Sequence, residues 1–259
     1  MLIDAHCHIN SLNKSTLNDV LVSASDNYIF LDSSINVDSA RLSLEINSKY
    51  PSVYSAIGFH PFSVKEFSDI TIETYKKMLR ENKKILAIGE IGLDETAQVP
   101  HDEQEKILKR FFWLAKDAGL PVLIHNRLKE PKIFAMLDDF FASYEKVIFH
   151  CFSYDYEMLQ RITDKGGFVS FSLNILRKKK AIIDSFMRCP LENLLLETDS
   201  PYMKINDRPS TPLDIKEVYS LAASVRKIPA KDLEEAVLAN FKKAFCLDGY
   251  RRIVTDSNG

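Results

Sequence analysis

The sequence predicts an α/β fold: a closed (β/α)8 barrel of the TIM type with additional C-terminal helices. Three observations lead there. Short, β-branched apolar runs alternate with longer amphipathic stretches along the whole chain. Eight such runs can be drawn, which is the strand count of a closed barrel. The length of 259 residues is close to what one barrel needs and short for two full-sized domains, so the chain is read as a single domain, 1–259. An open, doubly wound sheet is the main alternative for the same alternation.

In chain order, Leu2–Ala5 is the first strand and Ser15–Ser25 the first helix. Tyr28–Ser33 leads to a helix over Asp38–Lys49, and Val53–Ile57 to one over Ile72–Glu81. Ile85–Gly89 is followed by Asp102–Ala118, the best defined helix. Its Ile107, Leu108, Phe111, Phe112, Leu114 and Ala115 form one apolar stripe, and Asp102 and Glu103 suit its positive N-terminal end. Gly119-Leu120-Pro121 ends it. Val122–His125 precedes a helix over Pro131–Ser143, and Val147–His150 one over Tyr156–Lys165. Phe168–Ser172 and Leu194–Glu197 complete the strands. Two further helices, around Pro212–Arg226 and Ala230–Phe245, follow, and the polar tail after Gly249, with Arg251–Arg252, is expected to fray in solvent. There is no internal repeat, low-complexity tract or Gly/Ser linker.

Hydrophobic residues make up 46% and charged residues 27%, which excludes a disordered or collagen-like chain. With 34 Lys+Arg against 36 Asp+Glu, the formal charge is −2, so no globally basic nucleic-acid coat exists and polyanion binding must rest on local charge or bound cations. Cys7, Cys151, Cys189 and Cys246 form no CxxC pair, which suits a reducing compartment. MLIDAHCHIN carries neither a basic leader nor an apolar signal core, and no apolar run approaches spanning length. The expectation is a cytoplasmic protein without membrane attachment, monomeric by default.

Five of the six histidines, His6, His8, His60, His125 and His150, fall at or just beyond the C-terminal end of an expected strand. In a parallel barrel those ends open onto one face, where the chemistry of such folds sits. In Asp4-Ala5-His6-Cys7-His8 the alternation of a strand puts His6 and His8 on one face and Cys7 on the other. Asp4 is placed to orient that pair from behind. Glu90 ends the fourth strand among glycines that permit a tight bend. Glu197 and Asp199 follow the eighth. A lone terminal histidine or acid is ordinarily structural, but imidazoles and carboxylates converging from several strands repel unless cations neutralise them.

Two divalent ions fit this supply. His6, His8 and Asp199 can hold one, His125 and His150 the other, and Glu90 has two oxygens with which to bridge them. Mixed nitrogen and oxygen ligation accepts zinc, manganese or, less well, magnesium. His101 follows Pro100 at a helix entrance, and it is expected to be exposed and outside the set.

These pieces, in this order, resemble the TatD family of metal-dependent deoxyribonucleases in the amidohydrolase superfamily. The matching segments are Asp4-Ala5-His6-Cys7-His8, Gly58-Phe59-His60-Pro61, Gly89-Glu90-Ile91-Gly92-Leu93-Asp94, Pro121-Val122-Leu123-Ile124-His125-Asn126-Arg127, His150-Cys151-Phe152-Ser153 and Glu197-Thr198-Asp199-Ser200-Pro201-Tyr202. The resemblance implies a (β/α)8 barrel, divalent metal, and hydrolysis of DNA phosphodiesters, typically from the 3′ end. It places metal ligands at His6, His8, Glu90, His125, His150 and Asp199. The chain departs from the family pattern at Glu95-Thr96, where aromatic residues are usual, at Tyr154 in place of Gly, and at Ser210-Thr211-Pro212 in place of Asn-x-Pro. These departures bear on substrate-binding loops.

The mechanism expected from this reading is hydrolysis by water whose pKa a metal has lowered. Asp199 accepts the nucleophile's proton, Glu90 fixes the distance between ions, and His60 binds a phosphate oxygen or assists the leaving group. Arg127 offers a planar fork to phosphate, and Glu197 orients a metal-binding histidine. Single-stranded DNA or its 3′ ends are the expected partner. Arg177-Lys178-Lys179-Lys180, Lys204 and Arg208 are the basic residues that either meet it or form a solvated face, and Phe152, Tyr154 and Tyr202 are aromatics that either stack on unpaired bases or pack within their loops. Two rival readings use the same scaffold. One is a metal-dependent hydrolase of small phosphoesters, lactones or amides, some of whose relatives bridge their metals with a carbamylated lysine where this chain has Glu90. The other is a non-catalytic barrel acting as a binding module, which predicts a damaged ligand set.

Overall fold

The computed structural model describes residues 1–24, 27–128, 132–177 and 179–247, without the side chains of 176 and 177. Eight strands form one sheet: β1 (Leu2–Cys7), β2 (Tyr28–Ser33), β3 (Val53–Ile57), β4 (Ile85–Asp94), β5 (Val122–Arg127), β6 (Val147–Phe149), β7 (Phe168–Phe171) and β8 (Leu194–Leu196). They are hydrogen-bonded in chain order, every neighbour parallel. A doubly wound sheet would reverse its strand order at a switch point; this order never reverses. Beyond β8 the chain returns to β1, with the Asp199 N–H donating to the His6 carbonyl at 3.0 Å and the His8 N–H to the Ser200 carbonyl at 2.8 Å. The Asp4 carboxylate reinforces this seam by accepting from the Thr198 N–H at 2.9 Å and its hydroxyl at 2.6 Å. The fold is a TIM-type (β/α)8 barrel.

Between and after the strands lie α1 (Lys14–Ser23), α2 (Val37–Lys49), α3 (Asp69–Glu81), α4 (His101–Ala118), α5 (Lys132–Phe140), α6 (Tyr156–Thr163), α7 (Lys180–Arg188), α8 (Ile215–Arg226) and α9 (Ala230–Ala244). The stripe expected on α4 is its inner face: Leu108, Phe111, Phe112, Leu114 and Ala115 are buried, and Gly119 ends the helix at φ +67°. Helix α7 was not foreseen. The basic run at its start masked a short helix whose Ile182 and Phe186, one turn apart, are buried. Also unforeseen is a two-stranded ribbon, β9 (Lys204–Ile205) with β10 (Arg208–Pro209), turned by Asn206 and Asp207 at φ +47° and +62°. Helices α8 and α9 supply the additional C-terminal layer. Asn240 on α9 donates to the Leu191 and Leu194 carbonyls at 2.6 and 2.8 Å, and Ile3 donates its N–H to the Tyr219 hydroxyl on α8 at 3.2 Å.

Strand β4 is locally distorted where the glycines were expected to permit a bend, its register against β5 shifting between Ile88 and Ile91. It continues through Gly89 and Gly92 to Asp94, and its glycines serve close approach as well. A Cβ on Gly92 would lie 1.7 Å from the His125 carbonyl oxygen, and one on Gly89 would lie 2.5 Å from the Leu123 Cβ. Only bare backbone lets β4 and β5 run close enough to set Glu90 beside His125. Cys7, Cys151 and Cys189 are buried and Cys246 exposed, all as free thiols. Among the described residues no helix is long and apolar enough to cross a membrane. The expected helix ends at Ser25 and Pro131, Lys178, the Arg177 side chain, and the tail with Arg251–Arg252 lie outside the described residues.

A second apolar cluster, with Cys7, Ile9, Val20, Leu21, Phe30, Ile46 and Val53, fills the space under α1 and α2. Asp32 shares Phe30's face of β2 and is wholly buried. Its Oδ1 accepts from the Asn10 N–H at 3.1 Å and the Asn10 amide at 2.7 Å, while Oδ2 has no partner. Burial pushes this carboxyl up to about 6. An acid whose pKa rises on folding costs no stability below its unfolded value, and the cost grows as pH rises to the folded value. The cost here reaches about 3 kcal/mol above pH 6. Asp32→Asn keeps the acceptor and removes the charge. Thermal unfolding of the metal-free protein should therefore show this variant more stable than wild type at pH 8, with the difference vanishing near pH 4. An unchanged difference across that range would show that Asp32 is not the group that titrates.

Candidate metal centre and active-site cleft

Six strand ends converge on a cleft of about 290 Å³ at the C-terminal mouth of the barrel. His6 comes from β1 and His8 just beyond it, His60 follows β3, Glu90 lies in β4, His125 in β5, His150 after β6 and Asp199 after β8. All seven are buried. Asp199 sits at φ +52°, an unusual backbone for a residue with a side chain, and is held there by its N–H on His6 and by the Tyr202 and Met203 N–H groups on its carbonyl.

Glu90 divides the site. Its Oε2 faces His6 Nε2 at 3.6 Å and His8 Nε2 at 3.4 Å; those nitrogens are 3.0 Å apart, and each is 3.7 Å from Asp199 Oδ1. Four ligand atoms around one ion at about 2.1 Å stand about 3.4 Å from one another, and the five distances bracket that spacing. The other oxygen, Oε1, faces His125 Nδ1 at 2.7 Å, His150 Nε2 at 2.8 Å and His60 Nε2 at 3.5 Å. His125 Nδ1 and His150 Nε2 are 3.1 Å apart, a more contracted set.

The proton inventory shows that these donors fit a divalent cation. His8 Nδ1 lies 2.9 Å from the Ser33 carbonyl, which only accepts, so the neutral ring carries its proton there and turns a lone pair from Nε2 onto His6. His125 Nε2 lies 2.9 Å from Asp94 Oδ2, so its Nδ1 turns a lone pair onto Glu90. Lone pairs opposed at 2.7 and 3.0 Å require a proton or a metal between them. Burial, together with the neighbouring His150, pushes the His6 imidazolium well down. Burial opposes charge on Glu90 as well, yet His150 and His60 beside it hold its carboxyl well below the usual carboxylate range. Burial opposes charge on His150 too, yet Glu90 and Glu197 hold its imidazolium well above the usual range, so the cluster draws positive charge onto itself, a demand that a divalent cation fits.

His60 differs. It accepts the Phe62 N–H on Nδ1 at 3.1 Å, and burial drives its imidazolium down to about 3. Its proton is therefore on Nε2, facing the cleft, so the ring is a hydrogen-bond donor there rather than a lone-pair ligand, although it lies close enough to Glu90 and His125 to share an ion.

The sequence reading missed the groups that hold the rings from behind. Asp94 orients His125 and is itself fixed by Thr96, whose N–H and hydroxyl both donate to Oδ1 at 2.7 and 2.6 Å. Ser33 serves both rings of the first pair, through its carbonyl to His8 and its hydroxyl at 3.0 Å from His6 Nδ1. Asp94 stood within the quoted segment and could have been found from its alternation with Glu90; Ser33 left no signal. Asp4 touches no imidazole: it ties the His6 N–H and Thr198 together. Glu197 Oε1 lies 3.6 Å from His150 Nδ1, and its Oε2 accepts from the Ser170 hydroxyl. Arg127 reaches the cleft wall, where Nη1 donates to the Cys151 carbonyl at 3.3 Å and the Ser153 hydroxyl at 3.2 Å.

Of the aromatics open to stacking or to loop packing, Phe152 is buried core and Tyr154 has its hydroxyl tied to the Asn126 and Leu128 carbonyls. Tyr202 is exposed at the cleft. Arg208, in the segment after β8 as expected, is paired with Asp214 at 2.7 Å, and Lys204 is exposed on the ribbon. Thr211 pairs reciprocally with Asp214 to cap the turn before α8. His101 is exposed, as expected.

Comparison with known proteins agrees with this geometry. The TatD related DNase family profile matches residues 3–246. A metal-dependent hydrolase of Methanocaldococcus jannaschii, described as uncharacterized, is 30% identical over 94% of this chain and 96% of its own length. The crystal structure of the TatD homologue YjjV of Escherichia coli superposes with a TM-score of 0.86 at 27% identity, covering 95% of this chain and 98% of that one. The phosphotriesterase homology protein of E. coli, solved with phosphate in its active site, shares the fold at a TM-score of 0.68 and 15% identity, over 94% of this chain and 98% of that one. This chain belongs to the TatD family of metal-dependent hydrolases.

Proposed function

We propose that the protein is a two-metal phosphodiesterase that removes nucleotides from single-stranded 3′ ends of DNA. The observation that carries the reading is Glu90: one buried carboxylate whose two oxygens face two separate donor sets, with a guanidinium on the wall of the same cleft. His6, His8, Asp199 and Glu90 Oε2 would hold one ion; His125, His150 and Glu90 Oε1 the other. Bound there, divalent ions supply charge to stabilise phosphoryl oxygens and bring the pKa of water near neutrality.

The chain's own residues do the rest. The Asp199 side chain is 12% exposed where Glu90 is 4%, so it is the acid that can accept the attacking water's proton and pass it to solvent. His60 holds its Nε2 proton toward the phosphate, as a donor to a phosphoryl or leaving oxygen. Arg127, fixed by Cys151 and Ser153, presents a planar cation to the same group. A cleft of about 290 Å³ is at the small end of ligand pockets, and it admits a chain end rather than a paired helix. The family's description as a DNase supports DNA over other phosphodiesters. A binding module would not need this intact donor set.

Chelator-treated protein should lose hydrolysis of 3′-labelled single-stranded DNA and recover it when manganese, magnesium or zinc is returned. Undiminished cleavage after verified metal removal would reject the mechanism, and turnover of a lactone but not of DNA would move the substrate class. His60→Ala should lower kcat by about 100- to 1,000-fold through loss of one pre-oriented donor. A change in metal content with it would instead make His60 a ligand. Asp94→Ala should weaken binding at the His125–His150 position by about 10- to 100-fold, read by equilibrium dialysis; unaltered binding at both positions would leave Asp94 a loop anchor only.

A further inference from the structure

Three aromatic side chains stand exposed among the described residues: Phe62, Trp113 and Tyr202, at 60%, 56% and 58%. Exposed aromatics of this size are costly to leave in water and mark contact sites when they cluster. Trp113 lies on α4, beside Phe140 at 5.3 Å and under Lys116 at 5.2 Å. Phe62 and Tyr202 both line the cleft.

Their placement follows the two halves of the site. The Phe62 ring meets His60 edgewise at 4.8 Å, on the Oε1 side of Glu90, and the Tyr202 ring meets His8 at 4.9 Å, on the Oε2 side. Both backbones are fastened to the chemistry. The Phe62 N–H donates to His60 Nδ1 at 3.1 Å, and the Tyr202 N–H to the Asp199 carbonyl at 2.9 Å. The backbones that carry the rings are thus fixed before any ligand arrives, so the ordering needed on contact is confined to side-chain torsions.

Cationic side chains are sparse around the cleft. The chain is formally −2, Arg127 is the one Lys or Arg among the described residues lining the cleft, and Arg208 is committed to Asp214. We propose that Phe62 and Tyr202 form a subsite for an unpaired base at the end of a nucleic-acid strand, so that beyond the scissile phosphate the substrate is held chiefly by stacking and by few phosphate contacts. This rests on the deoxyribonuclease reading and specifies what part of the nucleotide the cleft grips. Stacking on an aromatic face accepts every base, so the subsite discriminates against paired ends and missing bases, not against sequence.

The test compares single-stranded oligonucleotides whose 3′-terminal residue carries a base or is abasic. Wild type should favour the intact end by about 5- to 100-fold, mostly in KM. Phe62→Ala and Tyr202→Ala should each reduce that ratio toward one, while Phe62→Trp and Tyr202→Phe preserve it. The plot of log kcat/KM against log salt should have a slope of about −0.7, the value for one phosphate contact on a single strand. Wild type that cleaves both ends equally well overturns the subsite without touching the nuclease reading, and needs no variant to fold. Alanine variants that keep the full preference, or a salt slope of about −3, the mark of several phosphate contacts, also overturn it. Wild type that hydrolyses dimethyl phosphate but no oligonucleotide overturns the deoxyribonuclease reading itself.

Discussion

The structure turns on unlike demands meeting in one dry place. Seven histidines and acids are buried within a few ångströms of each other, and burial alone would drive each toward neutrality. Neutrality does not satisfy them: His8 Nδ1 faces the Ser33 carbonyl and His125 Nε2 faces Asp94, so the other nitrogen of each ring is turned onto the cluster, and Glu90 and Glu197 hold the His150 imidazolium well above its usual range. The barrel is therefore built around missing positive charge. A metal supplies it at lower cost than protonation, since one divalent ion meets several lone pairs at once while a proton meets two.

Holding such a cluster together is the work of the seam between β1 and the segment after β8. Asp4 anchors Thr198, Asp199 donates to His6, and His8 donates to Ser200, so chain closure and site assembly are the same set of bonds. The first and last ligands in sequence become neighbours because the barrel closes there. The approach of β4 to β5 at Gly89 and Gly92 does the same for Glu90 and His125. Substitution at these glycines acts on function through backbone spacing, with no side chain of the site altered.

Much of this was legible in the sequence. Strand alternation placed His6 and His8 together, and the recurrence of a histidine or acid at strand ends singled out the residues that converge. Their order along the chain matched one family. The supporting shell was less visible, for a physical reason. Ser33 acts partly through its backbone carbonyl, which every residue has, and Thr96 acts through a turn two residues from Asp94. Helix α7 was hidden because a basic run dominated the reading of a segment whose inner face carries few buried side chains. For Phe152 and Tyr154 the sequence left stacking and loop packing equally open, because a ring in the core and a ring at a rim look alike there. Phe62 went unnoticed because its exposure depends on a turn after Pro61 that places it over the cleft.

The two halves of the site are not equivalent, and the difference lies behind the rings. His6 and His8 are both backed by Ser33, a neutral hydroxyl and carbonyl, whereas His125 is backed by the Asp94 carboxylate and Glu197 lies near His150. A carboxylate behind an imidazole makes its free nitrogen more basic and a stronger donor. The His6–His8 side recovers negative charge from Asp199, which is also the more accessible acid and the one suited to carry a proton away. On the proposed reading one position would be strengthened by carboxylates behind its imidazoles, the other by a carboxylate facing the ion itself. If two ions bind as proposed, the Asp94-backed half would hold its ion the more firmly, the Asp199 half would be the one free to adjust its charge, and Glu90, facing both, would couple them.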